Sequence, residues 1–122
     1  MKFYLLIILA FLQSCIELEH NLSSPQSIEL GKVKSGDTVH FRVPIYNHSK
    51  TKDIKIKKIS SECSCTIIYD QSQIVKKEDS IILDGLFLAS KTEFGAKTNK
   101  IVINSTADNT FNVIKIKAFV EN

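Results

Sequence analysis

The stretch that decides the fold class is Val39-His40-Phe41-Arg42-Val43-Pro44-Ile45-Tyr46, in which Val39, Phe41, Val43 and Ile45 alternate with the other four residues. Successive side chains of a β-strand point to opposite faces of a sheet, so this period of two predicts a strand with one buried face. Pro44 falls on the outward-facing set and has no N–H to donate. We therefore predict an edge position or a bulge at Pro44.

The same alternation recurs in shorter form on both sides of this stretch. Apolar residues two apart, with lysines between or beside them, are Ile54 and Ile56, Ile101 and Ile103, and Ile114, Ile116, Ala118 and Val120. Ile59 breaks the parity, which predicts a bulge or a strand end just before Cys63. About seven short strands, separated by polar turns and without a helical period, predict an all-β domain built as an antiparallel β-sandwich.

The sequence also allows more specific predictions for individual segments of this sandwich. Ser80 to Leu88 is the most apolar stretch, and we expect both of its faces to be covered. Ser27 to Leu30 is predicted to be the first strand, ended by Gly31, and Gly95 is predicted to lie in a loop.

The first fourteen residues have the features of a secretory signal peptide. A lysine at position 2 precedes the apolar run Phe3 to Leu12, and the small residue Ser14 precedes Cys15. The run is shorter than the roughly 20 apolar residues that span a bilayer. We therefore assign residues 1–14 to a signal peptide and not to a membrane helix.

Leu12-Gln13-Ser14-Cys15 resembles the lipobox of bacterial lipoproteins, which implies that Cys15 is lipidated and becomes the mature N-terminus. Several acyl chains, such as palmitate, are what stable membrane anchoring needs. The residue after the cysteine is Ile16 and not an aspartate, which resembles the pattern of Gram-negative lipoproteins that are sorted to the outer membrane. The resemblance implies a lipid-anchored envelope protein on the outer membrane, facing the periplasm. The alternative is an ordinary secretory peptide with a chance cysteine.

Residues 15–26 are polar and lack the periodicity of a helix or a strand, so we interpret them as the lipidated cysteine and a tether, followed by the folded domain at 27–122. The signal peptide holds only Lys2 of the 16 basic side chains, which leaves 15 basic and 13 acidic ones. This balance is close to neutral, and the lysines between 50 and 58 lack interleaved aromatic residues. It does not favour a nucleic-acid partner.

With Cys15 assigned to the anchor, the remaining cysteines are Cys63 and Cys65, an even pair in an exported, oxidising compartment. In an extended strand their Cα atoms would lie roughly 6.6 to 6.8 Å apart, the upper limit for a disulfide, so a bridge requires a local kink. The alternatives are packing, redox exchange, or Cu(I) binding by two thiolates. Structural zinc needs about four ligands, and only His40 and His48 could complete the set.

The whole arrangement resembles an Ig-like family of bacterial lipoproteins and periplasmic proteins, typical of Bacteroidota-type envelopes and known as domain of unknown function 1573. The resemblance implies an Ig-like sandwich similar to that of major sperm protein, and no established activity. Ser64 stands where the family usually has glycine, and Glu62 is inserted before the first cysteine. The matching segments are Leu30 to Val33, Gly36-Asp37, Phe41 to Asn47, Ser61 to Thr66, Phe87 and Ile114 to Val120.

The sequence favours a non-enzymatic interaction or structural module, because no catalytic constellation, cofactor motif, metal motif or small-molecule site is legible. An unpaired strand edge near Pro44 is the expected place for an envelope protein to add a strand. The alternative is a redox or copper-handling protein acting through Cys63 and Cys65. The apolar neighbours Ile59 and Ile67 disfavour a thiolate, and no cation is fixed beside the pair by sequence.

Overall fold

The structure is a computed structural model that describes residues 21–69 and 73–122; the predicted signal peptide, Cys15 and residues 16–20 of the predicted tether lie outside these residues. In the described part the chain forms nine strands and no helix. They are β1 (Leu22–Ser23), β2 (Ser27–Lys34), β3 (Thr38–Asn47), β4 (Ile54–Ser61), β5 (Thr66–Ile68), β6 (Ile74–Val75), β7 (Ser80–Leu88), β8 (Gly95–Ser105) and β9 (Phe111–Glu121).

The predicted all-β sandwich is confirmed. One sheet has the order β1-β3-β7-β5 and the other the order β2-β9-β8-β4-β6. The strand pairs of the described residues are antiparallel except β2 with β9, which run parallel. The first two strands thus belong to different sheets, β1 pairing with β3 and β2 with β9.

The core lies between the two sheets and is built by the alternation seen in the sequence. In β3 the residues Phe41, Val43 and Ile45 are buried while their neighbours His40 and Arg42 are exposed. In β9 the four alternating residues Ile114, Ile116, Ala118 and Val120 are buried, as predicted. Removing these apolar faces from water is the dominant stabilising contribution to such a fold.

Several local predictions differ from the structure because these features depend on how distant strands pair within each sheet. Gly31 does not end the first strand: it has φ +72° at a bulge, and β2 continues to Lys34. Gly95 begins β8 rather than lying in a loop. β7 is not covered on both faces, because its outward-facing Ile82 is 53% exposed. The bulge predicted near Ile59 is present, as a register shift between Ile56 and Lys58.

Residues 21–26, which the sequence analysis placed in the tether, lie within the sandwich. Leu22 is only 1% exposed and packs in the core. The side chain of Asn109 holds its backbone on both sides, since Oδ1 accepts from the Leu22 N–H (3.2 Å) and Nδ2 donates to the Leu22 carbonyl (2.9 Å). None of the described residues forms a helix long and apolar enough to cross a membrane.

Candidate functional site

The Cys63-Ser64-Cys65 segment forms a tight turn between β4 and β5 and is not extended strand. Ser61 shapes the turn: its Oγ donates to the Cys63 carbonyl (2.8 Å) and accepts from the Cys63 N–H (3.4 Å). The Thr66 N–H also donates to the Cys63 carbonyl, at 3.2 Å. The predicted kink therefore comes from a hydroxyl-capped turn, a conformation that serine favours.

In the structure Cys63 and Cys65 are joined by a disulfide, with their Cα atoms 5.1 Å apart. This distance lies within the range that disulfides adopt, because the turn draws the two residues closer than an extended strand would. The bridge closes a very short ring, and the loop-closure relation gives such a ring less than about 2 kcal/mol of stabilisation. This small stabilisation does not by itself explain why the chain carries the two cysteines.

Each sulfur of the disulfide has an N–H donor beside it. The Cys65 backbone N–H donates to Cys63 Sγ at 3.1 Å, and Asn99 Nδ2 donates to Cys65 Sγ at 2.9 Å. Asn99 also donates to Thr66 Oγ1, at 3.2 Å. Asn99 lies in the middle of β8, so the strand order of the fold brings an amide donor to a cysteine 34 positions away.

Two depressions flank the disulfide. A groove of about 500 Å³ runs between the β4 and β5 sides of the turn and is lined by Ile59, Ser61, Cys63 and Ile67 among others. A smaller cavity of about 200 Å³ lies on the side of Asn99 and is lined by both cysteines and by Lys97. Cys63 lines both depressions, whereas Cys65 lines only the smaller one.

The two described histidines, His40 and His48, do not join the cysteine pair. His40 is exposed on the outer face of β3, and His48 Nε2 lies 2.9 Å from Ser23 Oγ. Across residues 21–69 and 73–122, no group of three or more His, Cys, Asp or Glu side chains is arranged to hold a metal ion. Copper(I) held by the two sulfurs would therefore find no third ligand of these types in that part of the chain. Cys15 and His20 lie outside it.

The second candidate site is the outer edge of β3. The inner edge of β3 pairs with β7 from Thr38 to Tyr46. The outer edge pairs with β1, but only at Tyr46 and Asn47. The hydrogen bonds of an antiparallel pair alternate, and the Asn47 N–H donates to Asp79 of the β7 side. The even-numbered residues of β3 therefore direct their backbone groups away from β7, toward the edge beyond β1.

No described residue pairs with this edge between Thr38 and Ile45, so its backbone groups at His40 and Arg42 face solvent. Pro44 is on the same edge, and the edge position predicted for it is confirmed. Two large apolar side chains lie beside this edge on the outer face of the sheet: Tyr46 is 39% exposed and Ile82, the register partner of Pro44, is 53% exposed. The edge thus combines free main-chain groups with an accessible apolar surface.

Sequence reasoning missed two residues that the structure brings to these sites. Asn99 could not be associated with the cysteines, because nothing local links the middle of β8 to the turn after β4. Ile82 was assigned to a covered face, although its alternation with the buried Leu83 was visible.

Comparison with solved structures shows the same fold in proteins of unrelated sequence. A protein of unknown function from Porphyromonas gingivalis W83 is similar with a TM-score of 0.67 and 14% identity, over 80% of this chain and 46% of that one. The chain thus spans under half the length of that protein. The ASH/PapD-like domain 7 of human CEP192 has a TM-score of 0.70 and 11% identity, over 90% and 92% of the two chains.

WR4, a major sperm protein family member from Caenorhabditis elegans, has a TM-score of 0.59 and 13% identity, over 84% of this chain and 100% of that one. These likenesses establish the PapD-like and major sperm protein-like Ig sandwich, as the resemblance implied. No curated protein matches the chain. A family model, described as protein of unknown function (DUF1573), matches residues 23–120. The match covers nearly all of the described sandwich, and the chain belongs to the DUF1573 family.

Proposed function

We propose that this protein is a lipid-anchored envelope protein whose Ig-like domain is a non-enzymatic module that binds another envelope protein by strand addition at the free edge of β3. The observation that supports this most strongly is the open edge from Thr38 to Ile45, flanked by the exposed side chains of Tyr46 and Ile82. Free main-chain groups supply hydrogen bonds to an added strand, and neighbouring side chains supply specificity.

The edge of β3 is better suited to an added strand than the outer edge of β2. Both strands are long, but the β2 register shifts at Gly31, whereas β3 keeps an unbroken register along β7. A bulge twists an edge away from a partner strand. The expected partner is an extended segment that pairs between Thr38 and Arg42 and carries an apolar side chain at the end nearer Pro44, where Ile82 is exposed. Pro44, which has no N–H, ends the pairing.

Anchoring through Cys15 places this module at the periplasmic face of the outer membrane. The proposal rests on the lipobox resemblance of Leu12 to Cys15 and on the apolar run before it. The first described strand begins at Leu22, seven residues after Cys15, and a chain of that length reaches at most about 25 Å when extended. The β3 edge would therefore meet partners that are themselves close to the membrane.

Replacement of Cys15 tests the anchor. Cys15→Ala should leave the protein in the soluble fraction or unprocessed, because the acylation site is lost. The matched control is the double variant Cys63→Ala/Cys65→Ala, which should stay with the membranes. Fractionation that finds the Cys15 variant as membrane-bound as the wild type would contradict lipid anchoring.

The edge is tested by a proline that removes one of its donors. His40→Pro deletes an N–H that faces the open edge and is not used in pairing with β7, so the fold should tolerate it. A photo-crosslinker placed at Thr38 should capture a discrete envelope protein in otherwise wild-type cells and lose it with His40→Pro. His40→Ala, which keeps the N–H, should retain the crosslink. Equal crosslinking in all three would refute strand addition at this edge.

A further inference from the structure

The disulfide between β4 and β5 has neighbours that a purely structural bridge does not require. Asn99 Nδ2 donates to Cys65 Sγ at 2.9 Å, although a disulfide sulfur is a weak acceptor. The same donor would form a much stronger, charge-assisted hydrogen bond to a thiolate. The site therefore holds a group that favours the reduced, anionic form of Cys65.

Both cysteines are half-buried, but they line different depressions. Cys63 lines both the large groove and the small cavity, and the exposed Ser64 adjoins it, so an incoming sulfur can reach it from solvent. Cys65 lines only the smaller cavity. Lys97 lines that cavity too, but its Nζ lies 3.6 Å from Glu93 Oε2, so its charge is already paired. Asn99 is thus the side-chain donor at Cys65 Sγ, whereas the donor at Cys63 Sγ is the backbone N–H of Cys65 itself.

From this asymmetry we propose that the Cys63–Cys65 disulfide exchanges with external thiols, Cys63 being the sulfur attacked and Cys65 the leaving thiolate that Asn99 stabilises. This activity goes beyond the binding role proposed above and uses a different part of the molecule. The substrate class is a thiol, either a small molecule or a cysteine of a polypeptide that enters the groove beside β4 and β5.

The reaction is an ordinary thiol–disulfide exchange. A substrate thiolate attacks Cys63 Sγ, a mixed disulfide forms there, and the electron pair of the broken bond leaves on Cys65 Sγ, where Asn99 Nδ2–H meets it. A second substrate thiolate then attacks the substrate sulfur of the mixed disulfide and releases Cys63 as a thiolate. Two substrate thiols are oxidised to one disulfide, and the Cys63–Cys65 pair gains two electrons.

The test uses the full chain purified in detergent, with each cysteine followed separately by alkylation and peptide mass spectrometry so that Cys15 does not confuse the result. One arm offers reduced glutathione and the other a reduced, unfolded polypeptide with two cysteines. Reduction of the Cys63–Cys65 pair by at least one of them is expected, and the faster arm identifies the source of the thiol. A pair that stays oxidised in both arms overturns the proposal.

The role of Asn99 is tested in the same assay. Asn99→Ala should slow reduction about tenfold, the effect of losing one hydrogen bond to a charged group. Asn104→Ala, the same change on the same strand, should leave the rate unchanged. Equal rates for the wild type and Asn99→Ala contradict the assignment.

If Asn99→Ala does not fold, the order of attack is tested in the wild-type protein. A limiting amount of reduced glutathione, quenched early by alkylation, should leave its mixed disulfide on Cys63 and the alkyl group on Cys65. The reverse arrangement contradicts the proposal.

Discussion

Asn47 is a fully buried polar side chain at the end of β3, and all of its hydrogen-bonding groups are used. Its Nδ2 donates to the carbonyls of Lys52 (2.9 Å) and Val75 (3.0 Å), and its Oδ1 accepts from the Ser49 N–H (2.9 Å). One amide therefore connects β3, the following turn and β6. It thereby links β3 to β6, a strand of the other sheet that pairs with β4.

Replacement of Asn47 by alanine should destabilise the domain strongly. Two carbonyls and one N–H would lose their partners inside the protein, and each unsatisfied group costs about 1–3 kcal/mol. We expect a loss of at least about 3 kcal/mol in the free energy of unfolding, measured by urea denaturation. The matched control is Asn104→Ala, which removes an Oδ1 that is buried without a partner. A loss below about 1 kcal/mol at Asn47 would show that the amide does not hold this corner.

Among the strands, β7 carries Gly85 at a position where side chains of both neighbouring strands occupy the space of a Cβ. Gly85 pairs with Phe41 in β3 and with Ile68 in β5. A Cβ at this position would overlap the ring of Phe41 and lie 2.9 Å from Ile68 Cδ1. The glycine thus leaves the space that the aromatic ring fills.

Gly85→Ala should therefore overpack the core and lower the free energy of unfolding by about 1–3 kcal/mol. Phe41→Leu shortens the facing side chain and should relieve the overlap. The double variant Gly85→Ala/Phe41→Leu should therefore lose less free energy of unfolding than the sum of the losses of the two single variants. A double-mutant cycle measured by chemical denaturation gives this coupling. Strictly additive effects would mean that the two residues do not compete for one space.

The strands that could be predicted well are those in which apolar and polar residues alternate clearly enough to identify the strand without knowledge of its neighbours. Residues 39–46 and 114–120 alternate strictly, and their inward-facing sets were predicted correctly, although Val39 is only half-buried. β1 and β6 were missed because a two-residue strand has no period, and it forms only where a neighbour offers an edge. The start of β8 was missed for a related reason: four of the six residues 95–100 are polar, and their pairing with β9 keeps them in the sheet.

At the scale of the whole molecule, both candidate sites arise from the way two sheets are assembled. The cysteine turn could be located from sequence, but its donor Asn99 comes from another strand. The edge at Pro44 could be predicted, whereas its length depends on β1 being too short to cover β3. Long-range pairing of this kind leaves no local pattern in the sequence. For this reason only part of each site could be predicted.

Amide hydrogen exchange can show whether β3 presents a free edge that an envelope partner occupies. In the purified protein the edge amides of His40 and Arg42 should exchange quickly, while those of Phe41 and Val43, bonded to β7, exchange slowly. In the crosslinked complex isolated from the envelope, the His40 and Arg42 amides should become slow as well, because a partner strand accepts their hydrogens. Fast exchange of both amides in the complex would contradict the account.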